Sequence, residues 1–256
     1  MRIHHEPLSE ITRYLKANQE FSLEDMRPTY EGYLRLIRRF KPVTPETRIL
    51  EIGTGTGWFP LMAKLDGLSV RGIEISPQLL EFSMEWGRQH GVVPDITLAN
   101  LEEHPVGESL YDVIVANSVF EHIERWELAL GRLAAALKPG GILYFCSTNK
   151  FSPISYEYPM LFYGWMPDSM RYRFRMWRAG AEVMKLGIDF NQFRCSELRR
   201  AFRRAGFSAI FDRVDLVDTD RLSAWKARLL RAARRSALLK WPILTFCDAT
   251  VFVCVK

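Results

Sequence analysis

Between residues 46 and 146, short apolar runs alternate with stretches of helical periodicity. The runs are apolar on both faces, which is typical of strands buried inside a sheet, and they predict strands at 48–52, 69–75, 95–98, 112–116 and 141–146. Between them, helices are predicted at 61–65, 77–90 and 125–137. Because buried strands that alternate with helices form a parallel sheet covered on both sides, we predict a doubly wound α/β domain.

The flanking segments have different patterns. Residues 9–40 have helical periodicity broken at Pro28, which predicts two helices with a joint near 26–29 in an N-terminal cap over 1–45. Residues 147–192 are rich in aromatic residues and arginine and are predicted to cover a substrate. Residues 193–256 should complete the sheet with a helix at 195–205, antiparallel edge strands at 208–214 and 250–255, and a basic helix at 220–240.

The net charge of +5 is unevenly distributed. Residues 1–150 carry 16 Lys/Arg against 20 Asp/Glu, whereas residues 151–256 carry 19 against 10, a balance of +9. This basic half indicates an acidic partner, a membrane surface or an anionic substrate. The longest apolar runs are too short to span a bilayer, and the scattered cysteines favour a cytoplasmic location.

A glycine loop follows the first predicted strand. Gly53, Gly55 and Gly57 are spaced G-x-G-x-G and precede a helix, an arrangement that lets a ligand lie against bare backbone. Trp58 occupies the last position of the dinucleotide fingerprint G-x-G-x-x-G, so a pyrophosphate at this helix start is disfavoured. The alternative is a tight structural turn without a ligand.

Two glutamates accompany the loop. Glu74 ends the second predicted strand 21 residues after Gly53, where an acidic residue accepts hydrogen bonds from ribose hydroxyls; a solvated strand-end glutamate is the alternative. Glu51 lies inside the apolar first strand and therefore needs a partner. The loop amides or a cationic ligand amine could provide one.

These features resemble the seven-stranded, Rossmann-like class I S-adenosylmethionine-dependent methyltransferases, nearest in motifs to the ubiquinone-biosynthesis O-methyltransferases. The resemblance covers residues 48–146. It rests on Glu51 with the glycine loop, Glu74, and the segments 99–102 (Ala-Asn-Leu-Glu), 112–115 (Asp-Val-Ile-Val), 121–123 (Glu-His-Ile) and 137–141 (Leu-Lys-Pro-Gly-Gly).

The resemblance implies S-adenosylmethionine as the cofactor. Its methionine end would lie over the glycine loop and Thr54, its ribose on Glu74 beside Ile75, its adenine near Asn100 and Leu101, and its methyl-donor side near Asn117. The usual residue near Asn100 is an aspartate. In relatives, a residue preceding the first strand reaches the cofactor's carboxylate, and Tyr30 could do so here; a core role for Tyr30 is the alternative.

The resemblance also makes His122 a candidate general base for a hydroxyl acceptor. The alternative is that Glu121 and His122 only cap the following helix. Some relatives have a metal site with a further glutamate three residues before the Glu-His pair, but Ser118 stands there. We therefore expect no metal.

We expect methyl transfer to a small-molecule or lipid-linked acceptor, most simply on oxygen, with nucleic acid disfavoured. The alternatives are an RNA or protein methyltransferase and a cofactor-binding accessory protein without transfer activity. The segment 147–192 could instead pack its aromatics inward with its arginines solvated. The basic helix 220–240 is compatible with peripheral membrane contact, or with an apolar stripe docked on the sheet. The oligomeric state stays open.

Overall fold

The computed structural model describes residues 22–154, 160–179 and 191–256. Seven strands form one sheet in the order β3-β2-β1-β4-β5-β7-β6. The strands are β1 Arg48–Ile52, β2 Ser69–Glu74, β3 Asp95–Leu98, β4 Tyr111–Asn117, β5 Leu137–Thr148, β6 Ala209–Asp212 and β7 Ala249–Val255. The predicted doubly wound, seven-stranded α/β fold is confirmed.

The direction of the strands follows the prediction. The pairs β1–β2, β1–β4, β2–β3 and β4–β5 are parallel, and β7 runs antiparallel to both β5 and β6. The carboxyl ends of β1 to β5 therefore meet along one edge of the sheet. In open sheets of this kind, ligands bind at that edge, where the strand order reverses between β1 and β4.

Helices cover both faces of the sheet. They are α1 Leu23–Arg38, α2 Trp58–Leu65, α3 Pro77–Gln89, α4 Trp126–Ala136, α5 Asp168–Ala179, α6 Cys195–Arg204, α7 Arg213–Leu216, α8 Ala224–Arg235 and α9 Ala237–Phe246. One core contains Ile114, Leu133 and Phe202, and the other contains Tyr30, Ile49 and Phe59. The sheet thus separates two apolar layers.

The N-terminal helix differs from the prediction. No joint occurs near 26–29, since α1 runs through Pro28. Ser22 and Asp25 form a capping box that starts the helix at Leu23, so Pro28 is its sixth residue. The helix continues through Pro28 although the proline removes one backbone hydrogen bond in the second turn. The part of the other predicted helix before residue 22 lies outside the described residues.

Two predicted bounds near the C-terminus are also wrong. Strand β6 ends at Asp212 because its carboxylate accepts hydrogen bonds from the Val214 and Asp215 amides and caps α7. The single basic helix at 220–240 is two helices, α8 and α9, because Ser236 adopts extended backbone between them and its hydroxyl caps α9. Strand β5 also starts earlier than predicted, at Leu137.

Candidate cofactor cleft

The glycine loop joins β1 to α2 with three residues in the left-handed region. Gly53, Gly55 and Gly57 have φ angles of 66°, 57° and 75°. A Cβ at Gly53 would lie 2.6 Å from Val119 Cγ2, and one at Gly57 would collide with the Ser83 hydroxyl. Both backbone conformation and space therefore require glycine at these positions.

Glu74 holds this loop in place. The Gly55 amide donates to Glu74 Oε2 at 2.8 Å, and the Ile75 and Ser76 amides donate to Oε1 at 3.0 and 2.9 Å. Burial raises the pKa of the Glu74 carboxyl, and these hydrogen bonds oppose that shift. Since two carboxylate oxygens offer about four acceptor positions, Oε2 keeps room for a further donor.

Glu51 is a buried carboxylate beneath the loop. It is 7% exposed, and no donor among the described residues reaches its Oε2. Burial, and secondarily the charge of Glu74, raise the pKa of Glu51 well above its ordinary value. A cation placed beside Glu51 would reverse that shift, because an opposite charge favours the ionised form.

A cleft opens at the carboxyl edge of the sheet, with about 480 Å³ of space not filled by protein atoms. Gly53, Ile75, Asn100, Leu101 and His122 line it together, although they come from four different connections. The remaining lining residues are Ile52, Ile73, Ala99, Glu102, Val119 and Ile123. The cleft is therefore mainly apolar, with a few polar groups.

The loop after β3 is fixed on one side of the cleft. Asn100 Oδ1 accepts a hydrogen bond from the Glu102 amide at 2.9 Å, and Arg132 Nη1 donates to the Leu101 carbonyl at 2.8 Å. Glu102 accepts from the Glu124 amide at 2.9 Å and from Arg125 Nε at 2.8 Å. Burial acts to raise the pKa of Glu102, but these hydrogen bonds lower it overall, so it stays ionised.

The turn after β4 brings His122 to the cleft. Ser118 has a positive φ of 53°, which redirects the chain into a short 3₁₀ helix at Phe120–His122. The neighbouring Glu121 is completely buried and accepts a hydrogen bond from the Ser147 hydroxyl at 2.6 Å. Asn117 is half-buried at the end of β4 beside Cys146 and does not line the cleft.

Asn191 fixes this turn, a role that the sequence analysis did not assign. Its Nδ2 donates to the Phe120 and Ile123 carbonyls at 3.1 and 2.7 Å, and its amide donates to the Glu121 carbonyl at 3.1 Å. The contacts join residues about 70 positions apart, so no local sequence pattern could have revealed them. Thr148 Oγ1 adds a bond to the Asn191 carbonyl at 3.2 Å.

Tyr30 lies elsewhere. Its side chain is fully buried between α1 and α2, with its ring 5.5 Å from that of Phe59 and the Arg27 guanidinium over its face. Tyr30 is therefore a core residue in this structure, and it does not line the cleft. Tyr33, one turn further on, stacks on Trp58 directly after the glycine loop and also contacts Tyr144.

The described part of the predicted cover combines buried and exposed residues. Tyr163 is fully buried, and Arg171, which is 3% exposed, lies over its ring. The rings of Phe162 and Trp165 pack edge to face and remain about half exposed. The segment therefore has both an inward-packed part and an accessible aromatic part. Tyr156 and Tyr158 lie outside the described residues.

The described residues contain neither a cluster of metal ligands nor a membrane-spanning helix. No group of three or more His, Cys, Asp or Glu side chains in residues 22–154, 160–179 and 191–256 could hold a metal ion. Within the same ranges, no helix has the length and apolar character needed to cross a membrane.

Comparisons with known proteins identify the fold and the family. The chain matches the family model of a methyltransferase domain over residues 8–210. It is 26% identical over 200 residues to a ubiquinone biosynthesis O-methyltransferase from Saccharophagus degradans, covering 76% of each chain. It is 33% identical over 98 residues to the biotin biosynthesis bifunctional protein BioHC from Cellvibrio japonicus, covering 38% of this chain and 19% of that protein.

A solved structure agrees with this match. Phosphoethanolamine N-methyltransferase 2 from Haemonchus contortus, in complex with phosphomonomethylethanolamine and S-adenosylhomocysteine, superposes with a TM-score of 0.58 at 17% identity. The match covers 88% of this chain and 52% of that one, and it shows the shared fold. The chain spans well under two thirds of the length of BioHC and of this N-methyltransferase.

The sheet order, the glycine loop and the carboxyl-edge cleft define a class I S-adenosylmethionine-dependent methyltransferase. With the family match over residues 8–210, this chain belongs to the methyltransferase-domain family.

The residues of the cleft, together with buried groups beside it, fit this cofactor. Glu51, Thr54, Gly55, Gly57 and Glu74 do not line the cleft; they belong to β1, the glycine loop and the end of β2 next to it. S-Adenosylmethionine carries a sulfonium and an ammonium group, and the buried Glu51 Oε2 offers an acceptor that the described residues leave unused. The buried Thr54 hydroxyl likewise has no described partner. The apolar walls of Ile52, Ile75 and Leu101 suit an adenine ring.

Proposed function

We propose that this methyltransferase transfers the methyl group to an oxygen atom of a small-molecule or lipid-linked acceptor. The observation that carries the proposal is the position of His122, the one imidazole among the described residues that line the cofactor cleft. An oxygen nucleophile benefits from a base, whereas a free amine needs none. The Saccharophagus degradans relative, which is named as an O-methyltransferase, supports the same choice.

Individual residues are proposed to hold the cofactor as follows. Glu51 faces its cationic methionine end, together with Thr54 and the glycine loop Gly53, Gly55 and Gly57. Glu74 accepts a ribose hydroxyl on its remaining position, beside Ile75. Asn100 and Leu101 contact the adenine, and Asn117 borders the methyl-donor side. When bound, the cofactor supplies a strongly electrophilic methyl group.

His122 is proposed to accept the proton of the acceptor hydroxyl. An imidazole suits this task because its ordinary pKa lies nearest to neutral pH among the side chains. Glu102, the other titratable residue of the cleft, is held ionised by Arg125 and by backbone donors, so it serves the loop structure instead. The mainly apolar walls exclude water from the nucleophile.

The test is a transfer assay with labelled S-adenosylmethionine and matched pairs of acceptors that differ only in a phenolic hydroxyl or an amine. We expect transfer to the hydroxyl compounds. His122→Ala should lower kcat by about 10²- to 10⁴-fold with little change in the acceptor KM, because a base acts in the transition state.

His90→Ala is the matched control, since His90 is an exposed histidine at the end of α3. It should retain wild-type turnover. Transfer to the amines alone would overturn the assignment of oxygen as the acceptor atom. If His122→Ala turned over as fast as His90→Ala, His122 would not be the base.

A further inference from the structure

Helices α8 and α9 form a surface rich in exposed apolar residues. Trp225 and Leu229, one turn apart on α8, are 66% and 54% exposed, and Leu238 and Trp241 on α9 are 87% and 65% exposed. The two helices pack against each other. We call the exposed side chains of α8 and α9 the terminal-helix surface. Exposed apolar residues concentrated in this way mark an interaction site.

The apolar side chains of this surface are exposed although both helices are held firmly against the rest of the fold. Helix α9 has no buried residue, yet its end is fixed, because Asn149 Nδ2 donates to the Leu244 and Cys247 carbonyls at 3.0 and 2.8 Å. Lys240 reaches inward and pairs with Asp215 at 2.8 Å, and Arg234 donates to the Val214 carbonyl at 3.0 Å. The helices are thus anchored by these polar contacts and by the buried Ala227 and Ala233, while most of their large apolar side chains remain exposed.

The charge of this surface has a single sign. Residues 224–246 contain six Lys or Arg and no Asp or Glu. Two of the six face inward as described above, and the other four are exposed: Lys226, Arg228, Arg231 and Arg235. None of these four forms an ion pair with a carboxylate in the described part of the chain. The surface is therefore complementary to a negatively charged partner.

We propose that the terminal-helix surface docks on an anionic lipid membrane. Tryptophan and leucine side chains beside unpaired lysine and arginine are the combination that inserts at the level of lipid headgroups. The apolar part gains from burial in the acyl boundary, and each basic residue near an anionic leaflet adds attraction. A folded acidic protein would also match the charge, and a failure to bind anionic vesicles would favour it over a membrane.

The position of this surface relates it to the cleft. Asn149, which holds α9, follows the carboxyl end of β5, and that end belongs to the edge where the cofactor cleft opens. Docking would therefore bring the ligand-binding edge close to the bilayer. A membrane-docked enzyme would favour a lipid-linked acceptor. That consequence rests on the proposed function, whereas membrane docking itself does not.

The experiment is sedimentation of the full chain with lipid vesicles, without cofactor or acceptor. Vesicles of phosphatidylcholine with 30% phosphatidylglycerol should bind the protein, and pure phosphatidylcholine vesicles should bind it much more weakly. Arg228→Gln with Arg231→Gln should reduce partitioning by roughly 25-fold, on the basis of about fivefold for each basic residue. Leu238→Glu with Trp241→Glu should abolish binding.

Matched controls change the same charges elsewhere. Arg200 and Arg203 are exposed on α6, and Val93 is an exposed apolar residue before β3. Arg200→Gln with Arg203→Gln, and separately Val93→Glu, should leave partitioning unchanged. Equal binding to both vesicle types, or an equal loss in the controls, would refute the proposal. Light scattering tests the other occupant. If the protein is a dimer that Trp241→Glu dissociates, and if that change leaves vesicle binding unaltered, the surface binds a second copy of the chain and the membrane proposal is wrong. Because no methyl transfer is measured, the result is independent of the proposed function.

Discussion

At the scale of single residues, Glu74 anchors the glycine loop, whereas Glu51 keeps an oxygen for a ligand. The sequence left open which of these two glutamates the loop amides would bind. Glu74 has three backbone donors and acts as an anchor of the glycine loop, in addition to its proposed contact with ribose. Glu51 has an oxygen that no described donor reaches. The carboxylate that the described residues leave with an unused oxygen is therefore the one available to a cationic ligand.

Glu51→Gln should change how stability depends on pH. Folding raises the pKa of Glu51 well above 4.5, so the unfolded chain releases this proton first as the pH rises. The wild-type protein should lose stability relative to Glu51→Gln between pH 4.5 and the raised pKa, by up to about 1.4 kcal/mol for each pH unit. Urea unfolding of both proteins from pH 4.5 to 8 measures the difference.

Saturating S-adenosylmethionine should reduce this difference, because a cation beside Glu51 favours the ionised carboxylate. Glu103→Gln, at an exposed position, is the control and should follow the wild-type pH profile. Parallel profiles for wild-type and Glu51→Gln proteins would mean that Glu51 is ionised in the cofactor-free fold.

At the scale of elements, two asparagines tie distant segments together. Asn191 holds the turn that carries His122, and Asn149 holds the end of α9, each through several carbonyl groups. Asn191→Ala should lower the free energy of unfolding by about 1–3 kcal/mol, because buried carbonyls lose donors. It should also lower kcat, since the position of His122 is no longer fixed.

Asn149→Ala provides the comparison. It removes more hydrogen bonds, to the Leu244, Thr245 and Cys247 carbonyls among others, and should cost at least as much stability in chemical denaturation. It should nevertheless leave the kcat for a soluble acceptor unchanged. Equal turnover in both variants would show that the 3₁₀ turn holds its geometry without Asn191.

The same scale shows what local sequence can predict. The strands and helices between 48 and 146 were predictable because each carries its own periodicity, and Gly53, Ile75, Asn100, Leu101 and His122 meet in the cleft as topology requires. Tyr30 is buried and does not line the cleft, and the sequence left both roles open because core and ligand-facing tyrosines look alike in an amphipathic helix. Helix bounds set by side-chain caps, such as Ser236 and Asp212, were also missed.

At the scale of the whole molecule, binding of the correct cofactor should stabilise the fold. S-Adenosylmethionine at 100 times its Kd should add about 2.7 kcal/mol, which corresponds to a rise in Tm of roughly 5–10 °C for a chain of this size. NAD should give no shift, because Trp58 occupies the position where a dinucleotide fold needs a small residue. Thermal unfolding with each compound measures both, and an equal shift with NAD would contradict the cofactor assignment.

The reversed strand β7 has a consequence for how the molecule can vary. Strands β6 and β7 pair directly, from Ala209 opposite Val255 to Asp212 opposite Phe252, so the backbone pairing of this edge includes no residue of 213–248. That segment, which carries α8 and α9, is a long excursion between two strands that are already neighbours. Its two ends are fixed, because α7 buries Val214 and Leu216 and because Lys240 and the end of α9 are held by Asp215 and Asn149. The exposed side chains of α8 and α9 can vary while these contacts are kept, so a new attachment surface could arise without altering the cofactor cleft.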